Sequence, residues 1–169
     1  MIAPTQQMAP SQSSPAGLNM NRTGQLDRSL DHACRAARAA DDLRGQDTLV
    51  LDLTKITPIV DFFVVTSGTS NRQMRAVADE AHRVLKEVGS TRLGREGDHG
   101  NSWILQDYGD VVVHIFSAEA RKLYDLEHLW ADAPQIDWRA HCGLPPLVKV
   151  PAIEAAAVEA VDASDDDEV

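Results

Sequence analysis

The spacing of apolar residues divides the middle of the chain into helices and strands. Apolar side chains recur every three or four residues from Leu26 to Ala40, which predicts a helix that ends near Gly45. Apolar runs at 48–53 and 61–66 each predict a strand. The second run is unbroken, which indicates a strand that is buried on both of its faces.

The clearest helical period in the chain begins after residue 70. Ser70 and Gln73 match a capping box, in which two side chains satisfy free N–H groups at the start of a helix. Gly89 has the position of a glycine that ends a helix. The apolar stripe between them consists of Met74, Val77, Ala78, Ala81, Leu85 and Val88.

A hairpin and a closing helix complete the predicted domain. Residues 103–116 predict two strands joined at Asp107–Asp110, because a glycine beside aspartate suits a tight turn. A glycine-rich loop at 94–100 precedes the hairpin, and a helix from Ala118 to about Trp130 follows it. The order α-β-β-α-β-β-α predicts an α/β fold, a single compact domain with a mixed β-sheet covered by helices.

Composition sets the limits of this domain. Residues 1–24 are rich in Pro, Gln, Ser, Met and Asn, and residues 145–169 end in an acidic run, so both are predicted to be disordered tails. The globular domain is then predicted to span residues 25–144. The chain has no apolar run of about 18 residues and no signal-peptide pattern, so we expect neither a membrane span nor secretion. Two isolated cysteines fit a reducing cytoplasm.

Charge narrows the class of partner. The formal net charge is −10 at pH 7, whereas direct binding to nucleic acid normally requires a basic face. A basic protein is the favoured partner, because opposite charge raises the rate of encounter.

The candidate catalytic features each have a simpler structural explanation. The Thr66–Ser70 loop offers backbone N–H groups to an anion, but it lacks the lysine and the glycine spacing of phosphate-binding loops. Capping is therefore favoured, and a nucleotide-binding or nucleotidyltransferase-like enzyme is the alternative. Asp107 and Asp110 flank a turn, which favours a structural role over metal binding. The six histidines follow no zinc spacing, and His114 is predicted to be a hydrogen-bonded sheet residue.

Large amphipathic side chains near the hairpin suggest a surface for another macromolecule. Trp103 shares a strand face with Leu105 and Asp107. Its side chain is predicted to lie either in an interface or in the core, and neither is favoured. An interface is favoured for Tyr124, because tyrosine and tryptophan anchor many protein interfaces. Glu127 is either a solvated helix residue or a carboxylate that holds a cation of the partner.

Four segments, in the same order, resemble the ribosomal silencing factor family, also called Iojap-like. They are Asp42–Asp47, Asp61–Gln73, Trp103–Phe116 and Arg121–Trp130, and the likeness covers about residues 26–138. The resemblance implies a compact α/β fold related to nucleotidyltransferases but without their activity. We expect no cofactor and no metal. The absence of paired metal-binding carboxylates agrees with that expectation.

The resemblance also implies a partner and a mode of action. Such proteins bind the fourteenth protein of the large ribosomal subunit, keep the two subunits apart and lower translation when nutrients are scarce. They can form homodimers when they are off the ribosome. Carried across by motif, the partner-binding residues are Trp103, Tyr124, Asp125, Leu126 and Glu127. The hairpin that holds them in place is shaped by Asp107, Gly109 and Asp110.

Overall fold

The computed structural model of the protein describes residues 15–97 and 102–146. Within these ranges the elements are α1 (Pro15–Asp42), β1 (Gln46–Asp52), β2 (Phe62–Gly68), α2 (Asn71–Glu87), β3 (Gly94–Glu96), β4 (Trp103–Asp107), β5 (Val111–Ser117), α3 (Ala118–Tyr124), α4 (Leu126–Leu129), β6 (Gln135–Ile136) and α5 (Trp138–His141). The strands form one sheet in the order β3-β4-β5-β2-β1-β6. Only β2 and β5 pair in parallel among these neighbours, so the mixed sheet predicted from the sequence is confirmed.

The sheet separates two hydrophobic layers, because successive residues of a strand point to opposite faces. Helices α1, α2 and α5 pack over the first face, where Val64 and Val113 are fully buried. The second face carries Phe63 and Phe116 and is covered by α3 and α4. This second cover is thin, since Phe63 and Trp103 are only partly buried beneath it.

The start of α2 confirms half of the predicted capping box. Ser70 Oγ accepts a hydrogen bond from the Gln73 backbone N–H at 3.2 Å. The Gln73 side chain does not return the bond to Ser70. Its Oε1 accepts from the Thr69 N–H at 2.7 Å, and its Nε2 donates to the Leu43 and Arg44 carbonyls. The amide therefore joins α2 to the end of α1, a contact that local sequence spacing does not indicate.

Helix α1 is longer than its apolar pattern predicts. It begins at Pro15, so residues 15–24 are helical where a disordered tail is predicted. Residues 21–25 are exposed, and a helical segment that packs against nothing needs no apolar stripe that the sequence could show. The rest of the predicted tails, residues 1–14 and 147–169, lies outside the described residues. After α1 ends, a Cβ on Gly45 would lie 2.5 Å from Thr66 Oγ1, so only glycine fits this approach.

The prediction of one continuous closing helix is wrong, because the structure has two short helices there. Asp125 adopts φ 41°, which ends α3 and starts a separate helix α4. The short elements β3, β6 and α5 also escape prediction, because two to four residues are too few to show a period. Helix α5 nevertheless supplies a buried anchor: Trp138 is 3% exposed, and its indole N–H donates to the Thr48 carbonyl at 3.0 Å.

The hairpin of β4 and β5 has the predicted turn and is tied to α1. Asp107 Oδ1 accepts from the Gly109 N–H at 2.7 Å, and Gly109 has φ +85°, where glycine is favoured. The Asp110 carboxylate lies 2.8 Å from His32 Nδ1 of α1. These contacts hold the turn end of the hairpin against the first layer. In the described part of the chain, no helix combines the length and the hydropathy needed to cross a bilayer.

Candidate functional site

Most of the predicted partner-binding residues meet where β4 passes beside the end of α3. The Trp103 ring lies 4.7 Å from the Tyr124 ring and 5.1 Å from the Phe116 ring, centroid to centroid. Trp103 is partly buried, whereas Tyr124 is 47% exposed. Trp103 thus belongs to the core by its contact with Phe116 and to the surface by its contact with Tyr124.

Exposed apolar side chains extend this aromatic pair along α3 and α4. Leu123 is 78% exposed and Leu129 is 70% exposed. Leu126, by contrast, packs toward Val65 and Phe116. Several large exposed apolar groups on two neighbouring short helices are typical of a protein interface. We call Trp103 together with residues 123–129 the docking face.

The bend between the two helices shapes the docking face. Asp125 lies in the left-handed region, which aspartate and asparagine tolerate better than most residues. Its N–H donates to the Arg121 carbonyl at 2.9 Å, and its own carbonyl accepts from the His128 and Leu129 N–H groups. Asp125 thus shapes the site through its backbone. Beyond the bend, Leu126 packs inward and Leu129 is exposed.

Arg121 is the residue of the site that sequence reasoning missed. Its side chain is 12% exposed and donates from Nε to Glu127 Oε1 at 2.6 Å. The same guanidinium reaches the Asp47 carbonyl at 2.8 Å and Ser67 Oγ at 3.1 Å. Arg121 and Glu127 are six residues apart across a helix break, so no helical spacing rule pairs them. Glu127 is therefore tied to the sheet through Arg121, and it is a partly buried helix residue.

His114 forms the floor of the docking face and is not hydrogen-bonded. It is 4% exposed, and neither ring nitrogen has a partner among the described residues, so the prediction of a hydrogen-bonded histidine is wrong. Burial lowers the pKa of His114 to about 4, which keeps the ring neutral. Its neighbours are aromatic, with Phe63 at 4.7 Å and Trp103 at 5.8 Å between ring centroids.

The loop considered for anion binding has its hydroxyl groups engaged within the protein. Ser67 Oγ accepts from Arg121, Ser70 Oγ caps α2, and Thr69 Oγ1 donates to Gln73. A cavity of about 390 Å³ adjoins this loop, and its lining includes Glu119, an acidic residue whose charge disfavours an anion there. Within residues 15–97 and 102–146, no group of three or more His, Cys, Asp and Glu side chains is arranged to hold a metal ion.

Comparison with known sequences identifies relatives over most of the chain. A family model described as "Ribosomal silencing factor during starvation" matches residues 26–167, and so extends past the four recognised segments. The ribosomal silencing factor RsfS of Bacillus subtilis is 42% identical over 102 residues, which cover 60% of this chain and 86% of that protein. The chloroplastic protein Iojap of Zea mays is 32% identical over 111 residues, covering 64% of this chain and 47% of that protein.

Solved structures agree with the sequence relatives. A crystal structure of a protein from Chromobacterium violaceum is similar with a TM-score of 0.58 at 35% sequence identity, and covers 73% of this chain and 94% of its own. A protein from Bacillus halodurans has a TM-score of 0.53 at 33% identity, with 69% and 98% covered. Both are similar in sequence as well as in fold.

Proposed function

Because the chain belongs to the ribosomal silencing factor family, we propose that it binds the fourteenth protein of the large ribosomal subunit and blocks joining with the small subunit. The docking face carries this proposal: half-exposed Tyr124 packs on the partly buried Trp103 indole, and Leu123 and Leu129 of α3 and α4 are exposed. This arrangement suits a protein partner, since aromatic anchors with an apolar surround dominate the energy of interfaces.

Charge and mechanism fit this role. The chain carries a net charge of −10, so a basic ribosomal protein is attracted to it electrostatically. The block is steric and needs no covalent step, so the protein acts without enzymatic activity, cofactor or metal. An affinity near 1 μM corresponds to about −8 kcal/mol, and occupancy then follows the amount of factor in the cytoplasm. Synthesis of the factor under nutrient limitation thereby lowers translation.

The direct test is co-sedimentation with purified ribosomal subunits. The protein is expected to sediment with the large subunit and not with the small one, and to bind the isolated fourteenth protein immobilised on a surface. Sedimentation with the small subunit alone, or with neither, would contradict the proposal. Sizing the free protein by light scattering establishes whether it is a homodimer before it docks.

Reversing the charge of Glu127 is expected to slow docking. Glu127→Lys places a cation on the docking face and repels Arg121, so the association rate constant should fall about tenfold at low ionic strength. Salt screens the effect, and the difference from the unchanged protein should narrow above physiological ionic strength. Stopped-flow mixing with the fourteenth protein measures it. Glu119→Lys makes the same charge change outside the docking face, and equal slowing by this control would remove Glu127 from the site.

A further inference from the structure

Buried polar side chains on the first face of the sheet are hydrogen-bonded. Gln106 is fully buried, and its Nε2 donates to the Ala78 carbonyl at 2.9 Å. The Trp138 indole N–H donates to the Thr48 carbonyl at 3.0 Å. This is the usual condition of buried polar groups in folded proteins.

On the second face of the sheet, several buried polar side-chain atoms of the described residues have no hydrogen-bond partner. In the described part of the chain, the buried side-chain nitrogen and oxygen atoms without a hydrogen-bond partner are Trp103 Nε1, Nδ1 and Nε2 of His114, and Glu127 Oε2. All of them belong to the docking face or to the floor beneath it. An unpaired buried polar group destabilises a folded protein, so its persistence in a native structure calls for an explanation. The two indoles make the contrast clear, because Trp138 has an acceptor and Trp103 does not.

Two of these groups belong to partly exposed side chains of the docking face, although the atoms themselves are covered in the free protein. A partner would pair with them only by displacing the side chains that cover them. The Glu127 side chain is 29% exposed, and Arg121 occupies only one of its two carboxylate oxygens. The Trp103 ring packs against Tyr124, which is half exposed and is the last residue of α3, beside the bend at Asp125. Tyr124 is thus the most exposed of the rings that contact Trp103. His114 is nearly fully buried and remains out of reach.

We infer that Trp103 Nε1 and Glu127 Oε2 are hydrogen-bonding groups kept for the partner, a donor and an acceptor that are paired only on docking. The Glu127 oxygen accepts from a lysine or arginine of the partner. The indole N–H donates to a main-chain carbonyl of the partner, because lysine and arginine side chains contain no acceptor. This inference rests on the proposed function, and it names the chemistry that the docking face recognises.

Replacing the indole by a ring without a donor separates this role from a structural one. Trp103→Phe removes an unpaired donor together with part of a packed ring, so its midpoint of thermal unfolding should fall less than that of Trp138→Phe, which loses the same ring volume and a hydrogen bond as well. Its affinity for the fourteenth protein should fall about tenfold, the effect of one net hydrogen bond. Trp138→Phe is the matched control: it loses the bond to the Thr48 carbonyl, so its unfolding midpoint should fall while its affinity is unchanged. Glu127→Gln keeps an acceptor for Arg121 but loses the charge, and should also weaken binding.

The indole proton reports the new bond directly. In a nitrogen–proton correlation spectrum, the Trp103 indole signal, assigned by its loss in Trp103→Phe, should move downfield when the fourteenth protein is added. An unmoved signal, or unchanged affinity of Trp103→Phe, would overturn the inference. If, in that case, the Trp103→Ala, Tyr124→Ala double variant still lost binding, the proposed docking face would be kept and only the inferred hydrogen bond would be rejected. If the double variant bound normally, the proposed docking face would itself be wrong.

Discussion

The Trp103→Ala, Tyr124→Ala double variant is expected to lose co-sedimentation with the large subunit while its far-ultraviolet circular dichroism stays unchanged. Truncating an aromatic anchor at the centre of an interface costs about 2 kcal/mol or more, so loss of both should lower affinity at least about a hundredfold. Tyr124 is half exposed and Trp103 is partly buried, so the fold should survive with reduced stability. Sedimentation and circular dichroism on the same preparation measure both quantities.

A control for general loss of apolar surface is available elsewhere on the protein. Ile59 and Leu93 are 84% and 69% exposed and lie outside the docking face. Ile59→Ala combined with Leu93→Ala should sediment with the large subunit like the unchanged protein. If the Trp103 and Tyr124 double variant unfolded, both rings would be core residues, and the docking face would lose its anchors.

Arg121→Met is expected to give the second large effect, on stability. The guanidinium makes bonds to Glu127, Ser67 and the Asp47 carbonyl, and its removal leaves a partly buried carboxylate without its cation. The free energy of unfolding should fall by about 3 kcal/mol, the lower end of the range for breaking a buried ion pair, because Glu127 retains some contact with water. Chemical denaturation measures the change, and docking should weaken as α4 loses its tie to the sheet.

Lys122→Met is the matched control for this prediction. Lys122 is the next residue of α3 and is exposed, so the substitution removes the same charge from the docking region without breaking a buried bond. It should leave the denaturation midpoint close to that of the unchanged protein. Equal destabilisation by the two substitutions would mean that net charge, and not the Arg121 contacts, stabilises this region.

Long periodic segments of the chain could be predicted from sequence. The stripe of α2 is confirmed from Met74 to Leu85, since about three turns of one helix repeat the same apolar face. The hairpin turn was predictable at Gly109, because local backbone chemistry at an aspartate–glycine turn does not depend on the rest of the fold. The resemblance to the family supplied the functional expectation, which residue patterns alone left open.

The parts of the site that could not be predicted depend on tertiary contacts. The helix break at Asp125 has no proline or glycine to mark it, and Arg121 finds partners on β1 and β2 that are distant in the sequence. His114 was expected to be hydrogen-bonded because most buried histidines are, and the aromatic rings around it offer no acceptor. Each case concerns which groups meet across elements, and spacing within one element does not contain that information.

Subunit joining in the presence of the protein is the most direct measurement of the central claim. Large subunits are incubated with increasing amounts of protein, small subunits are then added, and light scattering reports the joined fraction. The account predicts that joining falls in proportion to occupancy of the large subunit, and that the Trp103→Ala, Tyr124→Ala variant leaves joining intact. Large subunits saturated with the protein that still join small subunits in full would contradict it.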